Sequence, residues 1–111
     1  MSEVLQTFNI PKSLQEEAQG AVSISFAQLT VGQEVESDKL MAATKDPYKK
    51  IAMSLRKVGD RTLDWGKGEP DEWLSAVSMK VRQLCMLAFN KVNMPQDEDV
   101  TDFLASMTIS V

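Results

Sequence analysis

Residues 21–29 alternate between apolar and polar side chains. Val22, Ile24 and Phe26 fall on one side, and Ser23, Ser25 and Ala27 on the other. A period of two predicts a half-buried strand. At Thr30 the pattern changes. Thr30 followed by Gln33 matches a capping box, and Glu34 and Glu36 suit the positive end of a helix dipole. Val31, Val35, Leu40 and Met41 supply apolar positions for a helix reaching about Ala43. Asp46-Pro47 is a second start signal, and Tyr48, Ile51, Ala52 and Leu55 follow at helical spacing to about Arg56. Gly59-Asp60 then separates two short β-compatible runs. This predicts a hairpin near 57–65, with a glycine helix cap as the alternative.

Residues 66–70 read as a loop. The longest helical signal covers residues 71–92, with a break possible near Ser75 to Ser78 and a stop at Pro95. Its apolar arc holds Trp73, Leu74, Val77, Val81, Leu84, Cys85, Ala88, Phe89 and Val92. Asp97, Glu98 and Asp99 open a last helix, whose apolar face is Val100, Phe103, Leu104 and Met107. Met107, Ile109 and Val111 then alternate with Thr108 and Ser110, predicting a C-terminal strand near 107–111 beside the strand at 21–29.

Residues 1–20 read as a flexible N-terminal arm. Pro11 interrupts it, and residues 12–19 form at most a short weak helix ended by Gly20. The expected organisation is an arm at 1–20 and one mostly helical α+β domain at 21–111, with a small sheet. At 111 residues and 12.3 kDa the chain suits one modest core.

Composition narrows the function. No apolar run approaches the ~20 residues of a membrane helix, and no signal peptide is expected. Histidine is absent, which removes the commonest general base and metal ligand. Cys85 has no cysteine to pair with, and its place in the apolar arc predicts an inert thiol. Gly66-Lys67-Gly68 lacks the spacing and hydroxyl of a phosphate loop. Asp97-Glu98-Asp99-Val100-Thr101-Asp102 imitates the start of a calcium loop, but Asp102 replaces its glycine and Thr108 its final glutamate. No enzyme, cofactor or metal is expected.

Charge adds a partition. The net charge is −4, which disfavours nucleic acid. Residues 1–38 carry six acids and one base, 39–91 eleven bases and six acids, and 92–111 four acids and no base. Either the ends fold back on the middle, or the surface is bipolar. A bipolar surface favours head-to-tail self-association or an oppositely charged partner.

The candidate site is a protein-binding face. Opposite the apolar arc of the long helix stand Ser75, Met79, Arg82, Met86, Asn90 and Asn93. Met79 and Met86, seven residues apart, place adaptable apolar groups on a polar face. A second element of the same domain covering that face is the alternative. Met79, Arg82, Met86 and Asn90 form the expected contact set, with Trp65 or Trp73 at a neighbouring edge. These tryptophans flank the 66–70 loop, either as loop anchors or as one exposed contact residue.

Three segments carry a resemblance. Ile24-Ser25-Phe26-Ala27-Gln28-Leu29-Thr30-Val31-Gly32 resembles the strand followed by Leu-Thr-Val-Gly that opens phage tail assembly chaperones. Ile51-Ala52-Met53-Ser54-Leu55-Arg56-Lys57-Val58-Gly59 resembles their middle segment. Lys80-Val81-Arg82-Gln83-Leu84 and Ala88-Phe89-Asn90-Lys91-Val92-Asn93-Met94-Pro95 resemble their later helix and its proline stop, and Phe103-Leu104-Ala105-Ser106 fits the same pattern. The resemblance covers about residues 21–111. It implies a non-enzymatic protein of the host cytoplasm that binds the tape measure protein, the tail tube protein or both and keeps them from aggregating or polymerising early. A structural virion component of the neck, baseplate or tube, or a small cytoplasmic adaptor, are the alternatives. A homo-oligomer is possible, and neither nucleic acid nor membrane is an expected partner.

Overall fold

The computed structural model describes residues 3–108. It is the expected α+β fold, mostly helical with a four-stranded antiparallel sheet. The strands are β1 (Leu5–Asn9), β2 (Ser23–Ala27), β3 (Leu55–Val58) and β4 (Arg61–Thr62), in that spatial order. The helices are α1 (Val31–Thr44), α2 (Lys49–Ser54), α3 (Glu69–Ala76), α4 (Met79–Asn93) and α5 (Asp97–Thr108).

The central strand organises the core. Ile24 and Phe26 are buried, and α4 packs across β2 with Val81, Cys85, Ala88, Phe89 and Val92 inward. The expected apolar arc of the long helix is therefore the core stripe. Its period breaks where Val77 adopts extended backbone and Ser78 caps α4, accepting from the Val81 N–H at 3.3 Å. A serine hydroxyl satisfies one orphan amide of the new helix, which makes two helices cheaper than one strained one.

Two local expectations hold, and a third shifts by two residues. The Thr30 capping box is complete: Thr30 Oγ1 accepts from the Gln33 N–H at 3.2 Å, and Gln33 Oε1 accepts from the Thr30 N–H at 2.9 Å. Asp46-Pro47 marks a turn rather than the cap itself: Asp46 Oδ1 accepts from the Tyr48 N–H at 2.9 Å, but Tyr48 is the N-cap and α2 starts at Lys49, two residues later than an Asp46 cap would place it. Gly59-Asp60 joins β3 to β4 as a two-residue hairpin with Val58 opposite Arg61, and Gly59 takes a positive φ of 60°.

The arm is a correction. Residues 5–9 are an edge strand, with Thr7 opposite Ser25 and Phe8 opposite Ile24. The Thr7 and Ser25 hydroxyls bond at 2.8 Å, and the Phe8 ring meets Phe26 edge-on at 6.3 Å. Ile10 and Ala18 lie in the core, although only a 3-10 turn (Lys12–Leu14) forms within the expected weak helix. Arg56 is the extra residue of a bulge between β2 and β3. Its guanidinium grips both oxygens of Glu3 at 2.9 and 3.2 Å and also donates to the Met53 carbonyl, tying the N-terminal segment across the sheet. Backbone pairing along one whole edge of β2 outweighs the sparse apolar content of residues 1–20.

The expected strand at 107–111 is a second correction. Met107 and Thr108 end α5, because the helical spacing of Val100, Phe103 and Leu104 carries through them. Residues 109–111 lie outside the described residues. Likewise α2 ends at Ser54, not Arg56, since pairing with β2 takes over at Leu55. Val31 and Val35 do not pack as expected and stay 79% and 48% exposed.

Candidate functional site

The outward face of α4 is built by its own periodicity. Once Val81, Cys85, Ala88, Phe89 and Val92 face the sheet, residues on the far side of the helix must face solvent. Met79 is 72% exposed and Met86 41% exposed, so no element of the described structure covers them. Asn90 is exposed beside them. Two apolar residues that the sequence pattern did not single out join this stripe: Leu87, 62% exposed, and Met94 just past the helix end. At about 100° per residue, these four apolar side chains fit within an arc of about 100°.

The other expected contact residues do different work. Arg82 turns back to the α3–α4 joint. Its Nε donates to the Leu74 carbonyl at 2.6 Å, and its guanidinium lies 4.8 Å from the centre of the Tyr48 ring. It satisfies a carbonyl at the end of α3 and stacks on an aromatic face, so it positions the stripe. Trp73 is 7% exposed and belongs to the core. Trp65 is half-buried and packs against that core. Both tryptophans therefore anchor the loop between them, and neither joins the methionines.

Asn93, on the same polar side by spacing, is an internal clamp. Its Oδ1 accepts from the Leu29 N–H at 2.8 Å, and its Nδ2 donates to Ser54 Oγ at 3.3 Å and to the Phe89 carbonyl at 3.0 Å. Ser54 Oγ in turn donates to the Ala27 carbonyl at 2.6 Å. The end of α4 is thus fixed against α2 and the exit of β2.

The expected loop at 66–70 is shorter in the structure: Trp65–Lys67 form a 3-10 turn, and Glu69 and Pro70 already open α3, where a proline suits the first turn. The turn before α3 is closed by its own side chains. Asp64 Oδ1 accepts from the Gly66 N–H at 2.8 Å, and Glu69 Oε1 accepts from the Asp64 N–H at 2.7 Å. That backbone bond, and Arg61 at 3.3 Å, hold the Glu69 carboxyl below its ordinary pKa. These groups close a turn and present no phosphate cradle. Among the described residues no cluster of three or more histidine, cysteine or acidic side chains is placed to hold a metal. No described helix is long and apolar enough to cross a membrane.

Cys85 is fully buried in the stripe that faces the sheet. Desolvation pushes its thiol from 9.0 up to about 12. A native sample at pH 8 is therefore expected to resist thiol-specific reagents until it unfolds. Because the folded pKa is raised, stability is full below the unfolded value and falls as pH rises from about 9 toward 12. Rapid labelling of the native chain at pH 8 would contradict this placement.

A second apolar feature lies beside the stripe. A groove of about 370 Å³ runs between β1 and α4, with Phe8 and Ile10 on one wall and Leu84, Leu87 and Ala88 on the other. Leu87 belongs to both groove and stripe. Comparison with protein-family models, with curated proteins and with solved structures finds no match to this chain.

Proposed function

We propose that this protein is a non-enzymatic phage tail assembly chaperone, binding the tape measure or tail tube protein in the host cytoplasm and holding apolar partner surface until assembly. The observation that carries the reading is the solvent-exposed apolar stripe of Met79, Met86, Leu87 and Met94. Unbranched methionines repack against partners of varied shape at low cost. A temporary holder of long helical partners needs that adaptability more than a single fitted pocket. Met86 and Met79 are the revised centre of the contact set, with Asn90 at the rim and Leu87 and Met94 added.

Co-expression with a tape measure fragment should raise the soluble yield of that fragment. Met79→Asp combined with Met86→Asp should remove most of that gain and weaken binding at least about 100-fold, since each buried side chain contributes about 1.5–3 kcal/mol. Both positions are exposed, so the circular dichroism spectrum should not change. An undiminished yield from a folded double variant would reject the stripe as the contact. Presence of the chain at fixed stoichiometry in purified particles would instead identify a virion component.

A further inference from the structure

We infer that α5 of one copy docks in the groove between β1 and α4 of a second copy, joining subunits head to tail. The two surfaces match in length and are opposite in charge. On the groove side, Lys80, Leu84, Leu87 and Lys91 recur along one side of α4 at spacings of four, three and four residues. That is a leucine pair bracketed by lysines about 16 Å apart. Phe8 and Ile10 form the facing wall, and Pro11 continues it to Lys12. None of Lys12, Lys80 and Lys91 forms an ion pair among the described residues.

On the helix side, α5 has twelve residues, about 18 Å. Val100, Phe103 and Leu104 share one face and are 41%, 65% and 53% exposed. Asp97, Glu98, Asp99 and Asp102 give the helix four acids and no base, and none is ion-paired among the described residues. An acidic amphipathic helix and a groove with basic ends thus occur in the same chain, both uncovered. Electrostatic attraction between them orients the encounter, and the apolar face supplies the contact.

The chain's own α5 does not fill its own groove, for a local reason. Residues 94–96 are pinned. Gln96 Nε2 donates to the carbonyls of Met94 at 2.8 Å and Lys91 at 3.3 Å, and the Gln96 N–H donates to Asp99 Oδ2 at 2.8 Å. With the linker held, α5 leaves the body, and the molecule extends 54 Å along its longest axis against 34 and 30 Å across. The contact is heterologous, since each copy offers one helix and one groove. It therefore propagates into a chain or closes into a ring. It is independent of the methionine stripe except at Leu87.

The test is sedimentation of the full chain from micromolar to millimolar concentration, at low and high salt. The expected result is a mass that rises with concentration and falls with salt. Phe103→Ser with Leu104→Ser removes the helix face, and Leu87→Ser removes the groove. Each variant alone should associate at least about 30-fold more weakly, the scale of losing an anchoring contact. An equimolar mixture of the two should regain a one-to-one complex, because each lacks what the other keeps. A wild-type chain that stays monomeric overturns the inference. So does a Leu87→Ser variant that associates like wild type, which would mean α5 pairs with α5. A mixture that stays monomeric also overturns it. Circular dichroism confirms that each variant is folded, and Lys80→Glu with Lys91→Glu repeats the groove test without touching an apolar residue.

Discussion

Replacing Phe26 with alanine should lower the unfolding free energy by about 3–5 kcal/mol, the cost of emptying a fully buried aromatic site. Phe26 is wholly inaccessible and sits in the central strand, opposite Gln6 on one side and Leu55 on the other. Its ring also contacts Phe8, so the cavity would open beneath β1 as well as beneath α4. A domain of this size has about 5–15 kcal/mol in total, so the variant would lose about a fifth or more of its stability. The denaturant midpoint should fall with little change in slope. Val31→Ala is the control: it removes an exposed side chain and should stay within about 0.5 kcal/mol. A loss below about 1.5 kcal/mol for Phe26→Ala would show that the sheet does not close around this residue.

The second large effect is expected from Asn93→Ala, at about 2–3 kcal/mol. One amide serves three elements here, and its removal strands the Leu29 N–H and leaves the Phe89 carbonyl and Ser54 hydroxyl without that donor. The penalty for an unsatisfied buried donor exceeds the net value of the bond that it lost. Hydrogen exchange at Leu29 should accelerate more than at other amides near the β2 exit. Asn90→Ala, three residues away and exposed, should change little. Equal effects at the two positions would mean that Asn93 is not a clamp.

The fold was legible wherever a few neighbouring residues decide the outcome. Thr30 with Gln33, Gly59-Asp60 and the serine break before Met79 are all local chemistry, and each was readable from spacing. β1 was not. Four of its five residues are exposed, as an edge strand permits, so the alternation of a half-buried strand is missing. The alternation at Met107 and Thr108 misled for the converse reason: period two in a short stretch says little when a longer helical period reaches through those two residues. At the candidate site, the methionines were readable because helical spacing alone places them outward. Arg82, Trp73 and Asn93 were not, because their roles depend on Leu74, on the core and on Leu29, which meet them only in three dimensions. Leu87 carries no clear signal in the sequence because it falls between the core arc and the polar face of α4.

One consequence of α5 concerns its own persistence. Isolated helices shorter than about 12–15 residues are marginal in water, and most helical stability in proteins comes from burying a face. α5 has twelve residues, and every described side chain up to Ser106 is exposed. Its acidic first turn favours the helix but adds only tenths of a kcal/mol to about 1. By that measure the helix of a lone subunit is expected to exchange with coil, and docking in the proposed groove would complete it. Ordering it subtracts from the affinity of every such contact, which keeps that contact weak and quickly reversed.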